Sequence, residues 1–285
     1  MKDKYARLYV ALSYAITWVC WGLAFYLSRQ NGFALPMVDS LNEFFDSGIV
    51  SSKHLFTSII FTLGVLGPFA AAVVTATLEN GSKGRKEIFS AMTNFNFKKS
   101  WLAFVLLYPV LVYLIASLFS GLASFGGFLS PLYPIAFFLP VLGYQFLTSG
   151  MEEPGWRGYL LPKLLQTYEA ERASWILGLI WSIWHWPLII FMSLDFGIAL
   201  AIPTLPGNAM ALIGVTIIYV WMYRNTKSIF LAMLFHAMLN TAPLFIIGKT
   251  DNPLAFFIPI VLSWVLAIWL IKRYGKGLLM KAAPT

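Results

Sequence analysis

Long apolar stretches separated by short polar segments dominate the hydrophobic pattern of this chain. A helix needs roughly 20 residues to cross a bilayer core about 30 Å thick. Stretches close to that length cover residues 8–28, 55–78, 101–121, 132–160, 173–193, 208–224, 228–247 and 253–271. The pattern predicts an all-α integral membrane protein, a polytopic bundle of about eight transmembrane helices that forms a single domain over residues 1–285.

The fourth stretch is unusually long and contains Pro134, Pro140, Pro154 and Pro162. Proline removes a backbone donor and clashes with the preceding helical turn. We therefore expect this stretch to be kinked or broken.

Composition supports a lipid-facing surface. Hydrophobic residues make up 59% of the chain and charged residues only 11%, whereas a soluble domain carries about 25% charged residues. Membrane lipid is therefore the first predicted partner. The net charge of +8 does not indicate a nucleic-acid partner, because the basic residues lie in short loops between apolar stretches. The single cysteine, Cys20, excludes an intramolecular disulfide and a CxxC metal site.

The distribution of basic residues predicts the orientation, because Lys and Arg concentrate in cytoplasmic loops. With eight spans and a cytoplasmic N-terminus, sixteen Lys and Arg residues fall on the inner side: Lys2, Lys4, Arg7, Lys83, Arg85, Lys86, Lys98, Lys99, Lys163, Arg172, Arg224, Lys227, Lys272, Arg273, Lys276 and Lys281. Only Arg29, Lys53 and Lys249 fall outside. Both termini are predicted to be cytoplasmic.

The basic segment from Lys83 to Lys99 also contains several apolar residues. Two interpretations stay open: an amphipathic helix lying along the inner leaflet, or a solvated cytoplasmic loop.

A few ionisable residues lie inside the apolar stretches: Glu152, Glu153, Arg157, His185 and His236. A charge at mid-bilayer costs about 2.5–3.5 kcal/mol on insertion scales, so such residues face the bundle interior and find partners there. At 1.5 Å per residue, Glu152, His185 and His236 lie about 16, 18 and 12 Å from the inner ends of their spans. The three residues are therefore predicted to reach one layer.

Helical spacing predicts specific pairs within this group. Glu153 and Arg157 are four residues apart, so they share a helix face and can form an ion pair. His236 and Asn240 share a face for the same reason. Glu152 is rotated by about 100° from Glu153 and is expected to point toward His185. A purely structural role remains an alternative for each pair, since polar residues also bridge membrane helices.

Three short motifs fall in order on successive predicted helices: E-E-x-x-x-R at 152–157, W-x-x-x-H at 181–185 and H-x-x-x-N at 236–240. Together they resemble the CAAX protease and bacteriocin-processing family, which includes the type II CAAX prenyl endopeptidases. The motif-bearing core covers about residues 140–245. The family usually has Phe where Trp181 stands, and we interpret both as aromatic packing residues.

The resemblance implies a metal-independent glutamate protease, with no cofactor and no metal ligands. Glu152 and His185 would hold and deprotonate the attacking water. His236 and Asn240 would donate hydrogen bonds to the oxyanion of the tetrahedral intermediate. A buried carboxylate is a suitable general base, and an imidazole with a carboxamide is a suitable pair of oxyanion donors.

The other two motif residues, Glu153 and Arg157, would brace the site. The resemblance implies a prenylated CAAX-type protein, or a related membrane-associated peptide, as the substrate. Water must reach a site buried in the membrane, so we expect a catalytic cavity that opens to the cytoplasmic side.

Other functions stay open at this point. Two histidines and a glutamate can bind catalytic zinc, although the HExxH motif of many metalloproteases is absent. Buried Glu, Arg and His also mark ion or proton pathways in transporters. A non-enzymatic scaffold or immunity protein is a third alternative, because a fold does not establish chemistry.

Overall fold

The computed structural model describes residues 3–38, 41–120, 135–247 and 252–280. Within these residues every regular element is helical, which agrees with the predicted all-α class. The α-helices are α1 Lys4–Asn31, α2 Leu41–Ser47, α3 Ser52–Val65, α4 Gly67–Met92, α5 Lys99–Ser120, α6 Phe138–Leu147, α7 Leu161–Leu165, α8 Ala170–Trp184, α9 Trp186–Phe196, α10 Ala201–Thr226, α11 Ile229–Ile246 and α12 Leu254–Tyr274.

Several of these helices can cross a membrane. α1, α5, α10, α11 and α12 are each long and apolar enough on their own. Two bent pairs, α3 with α4 and α8 with α9, qualify when each pair is taken together. The described residues therefore contain five to seven candidate spans, and the predicted number of eight stays a prediction.

The predicted stretches at 55–78 and 173–193 are not single straight helices. α3 and α4 meet at 54°, and α8 and α9 meet at 45°. Pro68 lies in the first turn of α4 and Pro187 in the first turn of α9. Since proline is tolerated at the start of a helix but cannot continue the hydrogen bonding of a preceding one, each bend falls just before a proline.

The fourth predicted stretch is broken, as its prolines predicted. A 3₁₀ turn at Ile135–Phe137 leads into the ten-residue α6. A second 3₁₀ segment at Ser149–Glu152 leads into a π-helix at Pro154–Leu160, which continues as α7. Residues 132–134 of this stretch, and residue 121 of the third one, lie outside the described residues.

Large aromatic side chains fill the centre of the bundle. The fully buried ones include Trp21, Trp156, Trp184, Tyr219 and Phe235. α1 packs against α3 and α4, α8 packs against α10, and α11 packs against α5 and α6. The outer surface is apolar as well, with exposed fractions of 70% for Val19, 73% for Leu139 and 75% for Ile202. A surface of this kind suits lipid rather than water.

Contacts between distant segments divide the bundle into two ends. At one end, Lys163 forms ion pairs with Asp3 at 3.1 Å and with Glu79 at 2.7 Å. The same end joins Glu171 to Lys276, Asn94 to Lys227, and Asn225 to Leu278. At the opposite end, Arg29 forms an ion pair with Asp195 at 2.7 Å. The segments at the first end are those that the basic residues assign to the inner side, and we refer to it as the predicted cytoplasmic end.

Candidate active site

The break in the fourth stretch brings two adjacent carboxylates and an arginine to the centre of the bundle. Glu152 ends the second 3₁₀ segment, Glu153 follows it, and Arg157 lies in the π-helix. Their exposed fractions are 3%, 0% and 0%. π-helical turns frequently occur at functional sites. Because buried charges need partners, the contacts of these three side chains define the site.

Two glycines allow this segment to lie close to its neighbours. A Cβ atom at Gly155 would lie 2.5 Å from the carbonyl oxygen of Pro68 on α4. A Cβ atom at Gly150 would lie 3.1 Å from the carbonyl oxygen of Met233 on α11. Side chains at these positions would push α4 and α11 away. The two glycines therefore allow the segment that carries the carboxylates to pack against both helices.

Glu153 joins two of the predicted motifs. Its Oε1 accepts hydrogen bonds from Arg157 at 2.9 Å and from Nδ1 of His236 at 2.8 Å. The first contact is the ion pair predicted from the spacing of four residues. The second links Glu153, immediately before the π-helix, to α11, a contact that the sequence analysis did not predict.

Arg157 connects the π-helix to two more helices. Its guanidinium carbon lies 4.3 Å from the ring centroid of Trp181 on α8 and 3.9 Å from that of Tyr219 on α10. One terminal nitrogen donates to the hydroxyl of Thr216 at 3.2 Å. Stacking between two aromatic faces is favourable for a buried guanidinium. Arg157 is therefore in contact with α8 and α10, and its bracing role stays a prediction.

Glu152 contacts a different set of residues. Its Oε2 accepts a hydrogen bond from Nε1 of Trp181 at 2.9 Å and one from Nε1 of Trp156 at 3.3 Å. Glu152 and His185 do not hydrogen-bond to each other directly. Instead, Nδ1 of His185 lies 2.9 Å from the backbone carbonyl oxygen of Trp181, so Trp181 contacts both.

The interpretation of Trp181 as a packing residue is therefore incomplete. Its indole donates to Glu152, its ring covers Arg157, and its carbonyl group holds His185. Phe can supply the ring and the carbonyl group but not the indole N–H. The sequence alone could not reveal the role of the indole N–H, because only the tertiary structure places Glu152 beside it.

His185 lies at the bend between α8 and α9, where it is the C-cap residue of the first helix and the N-cap residue of the second. A carbonyl oxygen only accepts, so the proton of the neutral ring is on Nδ1 and Nε2 keeps its lone pair. The same logic applies to His236, whose Nδ1 faces a carboxylate. Nε2 of His236 accepts in the neutral ring and donates only in the doubly protonated ring.

Asn240 has a partner that the sequence analysis missed. Its amide nitrogen donates to Oε1 of Gln145 at 3.3 Å, and that oxygen also accepts from the hydroxyl of Ser149 at 3.0 Å. Gln145 is only 1% exposed. An amide inside the apolar α6 was the available signal, because buried polar groups in a membrane helix need partners.

Five of the six predicted site residues are thus connected, either by direct contact or through Trp181. The sixth, Asn240, contacts Gln145. Two surface grooves, of about 640 Å³ and 490 Å³, are lined by other residues. The predicted cavity that opens toward the cytoplasm stays a prediction. Among the described residues, no group of three or more His, Cys, Asp and Glu side chains is arranged as metal ligands would be.

Fold and site together define a polytopic membrane protein with an enzyme-like cluster of charged and imidazole side chains buried between its helices. Residues 134–242 match a family model described as Type II CAAX prenyl endopeptidase Rce1-like. The chain is also 28% identical over 250 residues to CAAX prenyl protease 2 of Methanococcus maripaludis. This alignment covers 82% of each chain. These matches confirm the resemblance to the CAAX prenyl protease family that the three motifs predicted.

Proposed function

We propose that this chain is an intramembrane endopeptidase that cleaves a peptide bond near the C-terminus of prenylated CAAX-type proteins. One observation carries the proposal: separate segments of the bundle converge on a cluster of two carboxylates, an arginine and two imidazoles, all buried except the half-buried His185. Buried ionisable groups of this kind in a membrane protein are expensive to maintain and mark function. The family match favours proteolysis over transport.

In the proposed mechanism, Glu152 and His185 activate the attacking water. Both indole N–H groups reach the same oxygen of Glu152, which leaves Oε1 available to orient water. Nε2 of His185 is the proton-accepting nitrogen, because Nδ1 faces a carbonyl group. Trp181 contacts both side chains, and in the proposed mechanism the attacking water lies between them.

His236 and Asn240 stabilise the oxyanion of the tetrahedral intermediate. Nδ1 of His236 is already engaged by Glu153, so donation to the oxyanion uses Nε2 of the doubly protonated ring. Glu153 therefore orients His236 and supplies the opposite charge. The amide of Asn240 is held by Gln145. Preorganised donors of this kind contribute about 3–4 kcal/mol each to transition-state stabilisation.

Cleavage of defined peptides tests the proposal. Purified full-length protein is incubated with a farnesylated CAAX peptide and its unprenylated counterpart, and the products are identified by mass spectrometry. We expect release of the last three residues from the prenylated peptide. Glu152→Gln should abolish the product, whereas Glu169→Gln, at an exposed position before α8, should leave it unchanged.

A chelator added to the same assay separates the glutamate mechanism from the zinc alternative. We expect unchanged cleavage after chelation. Loss of cleavage that returns with zinc would replace the water-activation step with a metal-based one. Absence of cleavage for both peptides in folded protein would favour the non-enzymatic alternatives.

A further inference from the structure

A basic groove of about 640 Å³ lies at the predicted cytoplasmic end, away from the catalytic cluster. Its polar lining residues include Lys83, Lys86, Glu87, Ser90, Asn94 and Lys227. One wall is the C-terminal half of α4 and the other is the connection between α10 and α11. The groove is therefore built from two segments that are far apart in the sequence.

The two walls are fixed relative to each other. The side-chain amide of Asn94 donates to the carbonyl oxygen of Lys227 at 3.3 Å, and the hydroxyl of Ser228 donates to the carbonyl oxygen of Asn94 at 2.7 Å. α4 changes direction at Gly81, where φ is 61°. Beyond that kink, Ile88 is only 4% exposed and anchors the helix to the core.

The groove carries more positive charge than its own residues balance. In the described part of the chain, no acidic side chain lies within ion-pair distance of Lys83, Lys86 or Lys227. Glu87, which lines the same groove, is also too far from them to form an ion pair. Burial and the nearby Arg224 lower the pKa of Lys227. The groove is therefore lined by three ammonium groups and one carboxylate, a charge balance that favours an anionic ligand.

The surroundings of the groove indicate what this anion is. The same segment exposes apolar rings, with exposed fractions of 45% for Phe89 and 60% for Phe95. A helix with basic residues and exposed aromatic rings suits the boundary between headgroups and acyl chains. CAAX proteins usually carry basic residues upstream of the prenylated cysteine, so this groove would repel that part of a substrate.

We propose that the groove formed by Lys83, Lys86 and Lys227 binds the phosphate headgroup of an anionic phospholipid in the inner leaflet. Ammonium groups and the side chains of Ser90 and Asn94 supply donors for the phosphate oxygens. The acyl chains extend past Phe89 and Phe95 into the bilayer. This site is independent of the proposed protease activity.

Lipid binding by charge-matched variants tests the proposal. Full-length protein is placed in phosphatidylcholine nanodiscs, and the affinity for fluorescent phosphatidylglycerol is measured by energy transfer from tryptophan. The triple variant K83Q/K86Q/K227Q removes the groove lysines. The matched control R85Q/K98Q/K99Q removes three exposed bases of the same region that do not line the groove.

We expect the groove variant to bind about 10–100-fold more weakly, because it loses the charge-assisted hydrogen bonds to the phosphate that only the groove lysines can make. The control should change affinity by less than about three-fold. If the groove variant does not fold, the charge-conserving variant K83R/K86R/K227R should bind as the original chain does. Equal losses in both glutamine variants, or equal affinity for fluorescent phosphatidylcholine, would overturn the proposal. Displacement of the lipid by millimolar inorganic phosphate or by a peptide carboxylate would overturn the assignment to a lipid headgroup.

Discussion

At the scale of single residues, Trp181 links Glu152 and His185, which are proposed to activate water, with Arg157, which is proposed to brace the site. Each link uses a different part of the residue: the indole N–H for Glu152, the carbonyl group for His185 and the ring face for Arg157. The side chain makes two of these links because indole is both a large apolar surface and a hydrogen-bond donor, and the backbone makes the third. Small shifts of Trp181 would therefore move three functional groups together.

The two histidines should respond differently to the same substitution. We expect His236→Gln to retain measurable cleavage, because its amide N–H can still reach an oxyanion. His185→Gln should be inactive, because an amide cannot accept the proton that Nε2 of His185 takes up. Single-turnover cleavage of a CAAX peptide measures both variants, with thermal unfolding as the folding control. An active His185→Gln beside an inactive His236→Gln would reverse the assigned roles.

Gln145 should act by positioning Asn240. Gln145→Leu removes the acceptor that holds the Asn240 amide, and we expect kcat to fall about ten-fold with little change in KM. Adding Asn240→Ala to Gln145→Leu should cost less than the product of the two separate effects, because both act on one hydrogen bond. The control Ser149→Ala removes only the other donor to Gln145. Independent, multiplicative effects would show that Gln145 acts elsewhere.

At the scale of elements, the π-helix is where the bundle is held together around buried charge. Arg157 in the π-helix contacts α8 and α10, and Glu153 immediately before it contacts α11. Through Gly155 the π-helix lies against α4. An α-helix of the same sequence would rotate these side chains relative to one another. The geometry of this seven-residue π-helix therefore determines which neighbouring helices Glu153 and Arg157 contact.

Removal of Arg157 should destabilise the fold rather than only the chemistry. Arg157→Ala leaves Glu153 buried without its guanidinium partner, and such losses cost about 3–5 kcal/mol. Thermal unfolding in detergent measures the effect, with the exposed Arg85→Ala as a control for charge loss. Glu152→Gln keeps an acceptor for both indoles, so it should unfold close to the original chain. Similar destabilisation by Arg157→Ala and Glu152→Gln would assign the whole cluster to structure.

Lys163 ties α1, α4 and α7 together at the predicted cytoplasmic end. Burial acts against the charged ammonium, but hydrogen bonds to Glu79 and Asp3 raise the pKa of Lys163. Burial also opposes the charged form of Asp3, yet the N–H of Ala6 and the Lys163 ammonium lower its pKa. Both shifts favour the ion pair at neutral pH.

The sign of these shifts predicts the pH dependence. The Asp3 contribution is present above its unfolded pKa of about 3.9 and is lost as the pH falls through the lowered folded value. The Lys163 contribution is present below about pH 10.4. Lys163→Gln should therefore cost about 1 kcal/mol at pH 7, and less near pH 3. Unfolding temperatures at both pH values, with exposed Lys99→Gln as the control, measure this; an unchanged difference would contradict it.

At the scale of the whole molecule, the arrangement of the two ends supports an even number of crossings. Asp3 and Lys276 are far apart in the sequence. Both nevertheless lie at the end of the bundle that contains Lys163 and Glu171. Up to seven spans come from the helices and bent pairs. The broken fourth stretch would supply one more.

Topology tags test this arrangement directly. Reporter domains fused to the N-terminus and to the C-terminus should both report the cytoplasm, because sixteen basic residues lie on the predicted inner side and three on the outer side. A tag inserted between Asn31 and Ser51 should report the opposite side. An external C-terminus would contradict the eight-span prediction and the depth estimate based on it.

The sequence by itself determined the membrane setting, the helical class and most of the polar residues of the site. Apolar length and the scarcity of charge leave no other solvent for the chain, and each buried charge is conspicuous against that background. The ion pair between Glu153 and Arg157 was also predicted from their spacing of four residues, without tertiary information.

Only the tertiary structure decided how these residues are connected. The bends before Pro68 and Pro187, the hydrogen bond between Glu153 and His236, and the roles of Trp181 and Gln145 depend on contacts across helices. Hydrophobic periodicity gives little information about which helix face is buried in a membrane bundle, since lipid-facing and core-facing positions are equally apolar. The helix faces that meet are then set by packing and by the few buried polar groups, which act between residues far apart in the chain.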